Sequence, residues 1–110
     1  MFHMLSCFSL VEGVETQDFL AAIDAFNRHM IDASLLSSAG PVGRRCAGTP
    51  MDTDEARDHE YFFVSTFSDR AQCDAAYAYI LDAGPVISNI HEAVMSKVKD
   101  DAVFICWEDL

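Results

Sequence analysis

The segment DAVFICWEDL, residues 101–110, limits what this chain can fold into more than any other. At a strand's period of two, Ala102, Phe104 and Cys106 fall on one face and Val103, Ile105 and Trp107 on the other. Both faces are apolar. The run FHMLSCFSLV, residues 2–11, is too short and too rich in alternating aromatics for a helix, and Glu12-Gly13 ends it. A third strand, EYFFVSTF, sets Phe62 and Val64 on one face against Tyr61, Phe63 and Phe67 on the other. One layer of helices covers one face of a sheet, so strands that are apolar on both faces need something more.

The helices are readable between them. Thr16 is a plausible N-cap, and Phe19, Leu20, Ile23, Phe26, Met30 and Ile31 recur at helical spacing opposite Asp18, Asp24, Arg28 and Asp32, which predicts a helix to about Leu36. Gly40-Pro41 stops it and leads into VGRRCAG, a weak second strand. The polar stretch TPMDTDEARDH reads as a solvated loop of a long hairpin. Ser68 and Asp69 offer N-caps to a helix carrying Cys73, Ala76, Ile80 and Ala83, which Gly84 ends. Pro85 suits the first turn of another, with Ile87, Ile90, Val94 and Val98 in line.

The order β-α-β-β-α-(α)-β is that of an α+β, ferredoxin-like βαββαβ domain: a four-stranded antiparallel sheet with the helices on one face, filling residues 1–110. The uncovered face, with Leu5, Cys7, Phe63, Ile105 and Trp107 as expected members, is more than a monomer usually leaves in water. A second copy, sheet against sheet, is the simplest cover and predicts a homodimer.

Charge narrows the partners. Seven Lys and Arg against eighteen Asp and Glu give a net charge of −11, which repels phosphate backbones and anionic headgroups, so neither nucleic acid nor membrane is an expected partner. The first ten residues lack a basic n-region and a signal-type h-region, and the expected location is the cytoplasm. Cys7, Cys46, Cys73 and Cys106 include no CxxC pair and read as free, mostly buried thiols, with Cys7 and Cys106 as possible cross-strand neighbours.

With FHML at the first strand and HEAVMSKVKDDAVFICWEDL as the final helix and strand, the chain resembles the dimeric α/β-barrel superfamily, specifically small bacterial members akin to stress-responsive A/B-barrel proteins. That superfamily includes antibiotic-biosynthesis-type monooxygenases, EthD-like proteins and small cyclases and isomerases. The resemblance implies two ferredoxin-like subunits sharing one barrel. It does not transfer an activity, because fold does not fix function.

Candidate site residues follow from position. His3 shares a face with Leu5 and Cys7, toward the expected barrel interior, where an imidazole could move a proton or ligate an iron; the alternative is a hydrogen-bonded histidine at a strand end. Tyr61 is the expected assisting group in the same space. Arg44 and Arg45 point to opposite faces, and one could pair with an acidic ligand at the cavity mouth or simply protect a sheet edge. Trp107, Tyr79 and His91 could contact a ligand or belong to the core, and His29 reads as a surface residue. The stretch DTDEARDHE fails the calcium-loop pattern, and SSAGPVGRR lacks phosphate-loop spacing. No metal and no cofactor is expected, heme being a weaker option. The expected function is a homodimeric module that binds a small apolar or acidic ligand or serves a stress response. The alternative is a cofactor-independent enzyme, such as a cyclase, isomerase or monooxygenase, with His3 and Tyr61 as its site.

Overall fold

The computed structural model describes all 110 residues. Strand β1 (Phe2–Phe8) is followed by helix α1 (Thr16–Asp32), short strands β2 (Ser38–Ala39) and β3 (Gly43–Arg44), β4 (Tyr61–Phe67), helices α2 (Arg70–Asp82) and α3 (Pro85–Met95), and β5 (Val103–Glu108). β1 lies between β4 and β5 and is antiparallel to both. β2 and β3 both pair antiparallel with β4.

The second strand is therefore one edge track in two pieces. Ser38 and Ala39 lie opposite Thr66 and Ser65, whereas Gly43 and Arg44 lie opposite Phe62 and Tyr61, so the edge carries one residue more than β4 between its two paired stretches. Pro41 sits in the gap, where a residue without an N–H has no ladder bond to lose. The sheet thus has five segments on four tracks. Sequence pattern places only the VGRRCAG half of this edge.

The register decides the faces. Phe2, Met4, Ser6 and Phe8 are opposite Phe67, Ser65, Phe63 and Tyr61 and look toward the helices. Phe63 and Tyr61 are thereby on the helix side, not on the outer face. The outer face holds three rows of three, Thr66–His3–Trp107, Val64–Leu5–Ile105 and Phe62–Cys7–Val103.

The core lies between sheet and helices in two clusters. One joins Met30, Leu36, Phe67, Ala76 and Ile87, with Phe2 and Met4 against it. The other joins Phe8, Phe19, Ile23 and Val94. On α1 the buried stripe is Phe19, Ile23 and Met30, while Leu20 and Ile31 are exposed on its flanks. α1 ends at Asp32, short of Leu36. Ser34 takes a left-handed φ of 61°, and the N–H groups of Leu35 and Ser34 bond the carbonyls of Met30 and Ile31, a Schellman closure. Glu15 rather than Thr16 is the N-cap, with no side-chain bond. α2 begins as its sequence suggests, with Asp69 accepting from the Gln72 N–H at 2.8 Å.

The body measures 41 × 40 × 19 Å, and its radius of gyration, 14.4 Å, exceeds the ~13 Å of a compact chain of this length. It is a slab one sheet and one helix layer thick. No helix is long and apolar enough to cross a membrane.

Candidate functional site

His3 sits at one end of the outer face, where β4, β1 and the segment after β5 converge. Its Nδ1 lies 2.9 Å from Thr66 Oγ1 and its Nε2 lies 2.8 Å from Asp109 Oδ1. The Trp107 ring stacks on it with centroids 5.1 Å apart. The hydrogen bond from His3 holds the Asp109 carboxyl below the usual carboxylate range, so Asp109 is an acceptor at neutral pH. Nε2 then donates to it, and in the tautomer whose one proton is on Nε2 the Nδ1 accepts from the Thr66 hydroxyl. Carboxylate, imidazole and hydroxyl stand in the order that activates a hydroxyl or takes a proton from a ligand. The sequence singles out His3 but neither Thr66 nor Asp109. Register identifies Thr66 only once the pairing of β1 with β4 is known.

The expected partner Tyr61 is not with His3. It packs against Phe8, with ring centroids 5.8 Å apart, on the opposite side of the sheet. Arg44 lies over the Tyr61 ring on that same side, 5.8 Å from its centroid.

Arg45 points the other way and is fully engaged. Its Nε and Nη2 donate to Asp52 Oδ2 and Oδ1 at 2.9 and 2.8 Å, and it also reaches the carbonyls of Asp54 and Arg57. Asp54 in turn accepts from Arg57. The acidic stretch is therefore not merely solvated but folded around one guanidinium. The bonds from Arg45 hold Asp52 below the usual range, and the Ala56 N–H and Arg57 hold Asp54 there. The loop shields the far end of the outer face: Cys7 is buried there, its thiol pushed up by that burial, with Arg57 and Asp54 acting on it in opposite senses.

The remaining histidines are structural contacts. His59, expected in a solvated loop, is only 5% exposed, and its Nε2 donates to the Asp101 carbonyl at 2.7 Å. His29, expected at the surface, is half-buried and lies 2.7 Å from the Tyr79 hydroxyl. His91 is half-buried beside Phe26. All four thiols are free, but only Cys7 is buried, and Cys106 is opposite Met4 on the other face of the sheet from Cys7.

Two small apolar cavities lie between sheet and helices. One, about 50 Å³, is lined by Ser6, Phe8, Phe19, Phe63, Val94 and neighbours; the other, about 60 Å³, by Met4, Phe26, Met30 and neighbours. A more open polar cleft of about 370 Å³ runs past Arg44, Arg45, Asp58 and His59. His3 and Trp107 line none of these.

The fold and the placement of its helices define a ferredoxin-like α+β protein, and solved structures agree. A protein from Arabidopsis thaliana superposes with a TM-score of 0.73 at 12% identity, over 100% of this chain and 96% of its own. A point mutant of SnoaB, a cofactor-independent oxygenase from Streptomyces nogalater, gives 0.67 at 9% identity, over 98% and 91%. A dimeric ferredoxin-like protein of unknown function from Jannaschia sp. CCS1 gives 0.64 at 16%, over 98% of each chain. At these identities the likeness is one of fold. No family model matches the chain, and no curated protein matches it in sequence.

Proposed function

We propose that the protein is a homodimeric small-molecule-binding module whose two copies meet through their outer sheet faces. One observation carries the dimer: the row Val64–Leu5–Ile105 beside Trp107, with Ile105 39% and Trp107 42% exposed, on a face that the chain covers only at its far end, over Cys7. A stable interface takes about 800 Å² from each partner. A slab 41 × 40 Å across has room for that. The Jannaschia protein, a dimer of the same fold, supports dimerisation. Sedimentation equilibrium at micromolar concentration is expected to give twice the chain mass, and a well-folded monomer would overturn the reading.

The binding reading is preferred to catalysis because His3 and Tyr61, the expected proton-moving pair, face opposite sides of the sheet. A second reading, a cofactor-independent enzyme, is favoured by the Asp109–His3–Thr66 relay alone. Its substrate would sit in the space between the two sheets, against His3 and Trp107. Such a site should catalyse deuterium wash-in beside the carbonyl of a small ketone in D2O, and His3→Ala should abolish it while Asp109→Asn slows it by ~100-fold or more. Equal rates in all three proteins would remove the enzyme reading and leave the relay as a strand clamp.

A further inference from the structure

The fold sorts the four thiols. Cys7 is on the outer side of the sheet, and Cys46 follows β3 at the edge opposite β5. Cys73, at the start of α2, and Cys106, on β5, share the helix side. Cys106 is directly opposite Met4, and Met4 and Cys73 pack against the same cluster, that of Met30, Leu36, Phe67, Ala76 and Ile87. Burial pushes the Cys73 thiol up, and the Cys106 sulfur is near enough to push it the same way, as Asp74 does, with Arg70 opposing.

The two thiols differ in access. Cys106 is exposed and Cys73 is half-buried. β5 is also the least fastened of the long strands: it is hydrogen-bonded to β1 alone, and every residue from Phe104 to Glu108 is exposed. A disulfide needs its two Cα atoms within about 7 Å, and a strand held along one edge only is the element that can adjust to meet that limit.

We propose that Cys73 and Cys106 form a redox pair that an oxidising disulfide closes into an intramolecular bond, fastening β5 to α2. Cys106 reacts first, because it is the accessible member. Its thiolate attacks one sulfur of a disulfide such as oxidised glutathione, whose S–S bond breaks and releases one glutathione thiolate. Cys73 then gives its proton to solvent and attacks the Cys106 sulfur of the mixed disulfide, releasing the second glutathione thiolate. The protein loses two electrons and two protons, and the oxidised glutathione takes up both. The bond would hold in place the strand that brings Ile105 and Trp107 to the outer face and leads to Asp109 beside His3. A partly exposed bond of this kind is reversible, so a dithiol reductant reopens it.

Oxidised glutathione is the probe, used on the folded chain in a Cys46→Ser background, which removes the other exposed thiol. After alkylation of the remaining thiols and digestion, mass spectrometry is expected to find the Cys73 and Cys106 peptides joined and Cys7 alkylated. Adding Cys73→Ser should leave glutathione trapped on Cys106, and adding Cys106→Ser should leave Cys73 reduced. In urea the preference for this pair should vanish, since it comes from the fold. Closing the bond should raise the Tm by on the order of 10 °C, and dithiothreitol should reverse the rise. A glutathione adduct that stays on Cys106 while Cys73 is present, Cys106 joined only to a second chain, or no reaction at either residue would overturn the pair. A joined pair with an unchanged Tm would overturn the fastening of β5.

Discussion

At the scale of single residues, the best-organised polar group is Arg45, and it also shows where sequence reading stops. Alternation correctly sends Arg44 and Arg45 to opposite faces. It gives no hint that Asp52, seven positions on, takes both nitrogens of the Arg45 fork, because that contact depends on a loop path rather than on any period. His59 departs from its expected solvated position for the same reason: its burial under the start of β5 follows from the Asp101 carbonyl arriving from the other end of the chain. The loop's stability should follow pH. Asp52 titrates lower when folded than unfolded, so the Arg45–Asp52 pair contributes fully above the ordinary carboxylate value near 4 and loses that contribution as pH falls through and below it. The Tm of the wild type is expected to exceed that of Asp52→Asn at pH 7, and the gap should narrow as pH falls below the ordinary carboxylate value near 4. A gap that persists in acid would mean that Asp52 acts through packing rather than charge.

At the scale of elements, the strong periodicities are sufficient. α2 starts and stops where Asp69 and Gly84 place it and α3 starts at Pro85, but α3 ends at Met95, short of the expected Val98, which instead bridges to Leu10; the three long strands are all legible. The early end of α1 has a definite cause. Ser34 occupies the left-handed C′ position that glycine usually fills, so the sequence carries no visible stop until Gly40. That position predicts a gain. Ser34→Gly should stabilise the protein by about 0.5–1 kcal/mol, since a side chain with positive φ is strained and glycine is not. A urea midpoint that rises at constant slope would show this, whereas an unchanged or lower midpoint would mean that contacts around Ser34 offset the strain. The outer face is half legible: alternation places Leu5, Cys7, Ile105 and Trp107 there correctly but puts Phe63 on the wrong side. EYFFVSTF is apolar at consecutive positions, and only its register with β1 tells the faces apart.

At the scale of the whole molecule, thinness dominates. Only 14 of 110 residues are buried, and the exposed large apolar side chains include Leu20, Ile31, Tyr77, Leu81 and Val86 on the helices as well as Ile105 and Trp107 on the outer sheet face. The proposed dimer gives the outer sheet face a partner, and an isologous interface counts every change twice. Trp107→Glu should therefore weaken association by on the order of 100-fold or more while the helix-side core stays intact. An unchanged dimer would place the interface elsewhere. The position of β1 has a separate consequence for how the molecule comes together. It is hydrogen-bonded on one edge to residues 61–67 and on the other to residues 103–108, so its pairings join parts of the chain roughly sixty and one hundred positions apart. Closing such wide loops costs entropy before any contact compensates it, which slows folding relative to a helical bundle of equal size. During synthesis, β1 must wait with its edge toward β5 unpaired until roughly a hundred further residues have emerged. The chain is most exposed to wrong partners in that interval, and its heavy negative charge keeps such chains apart.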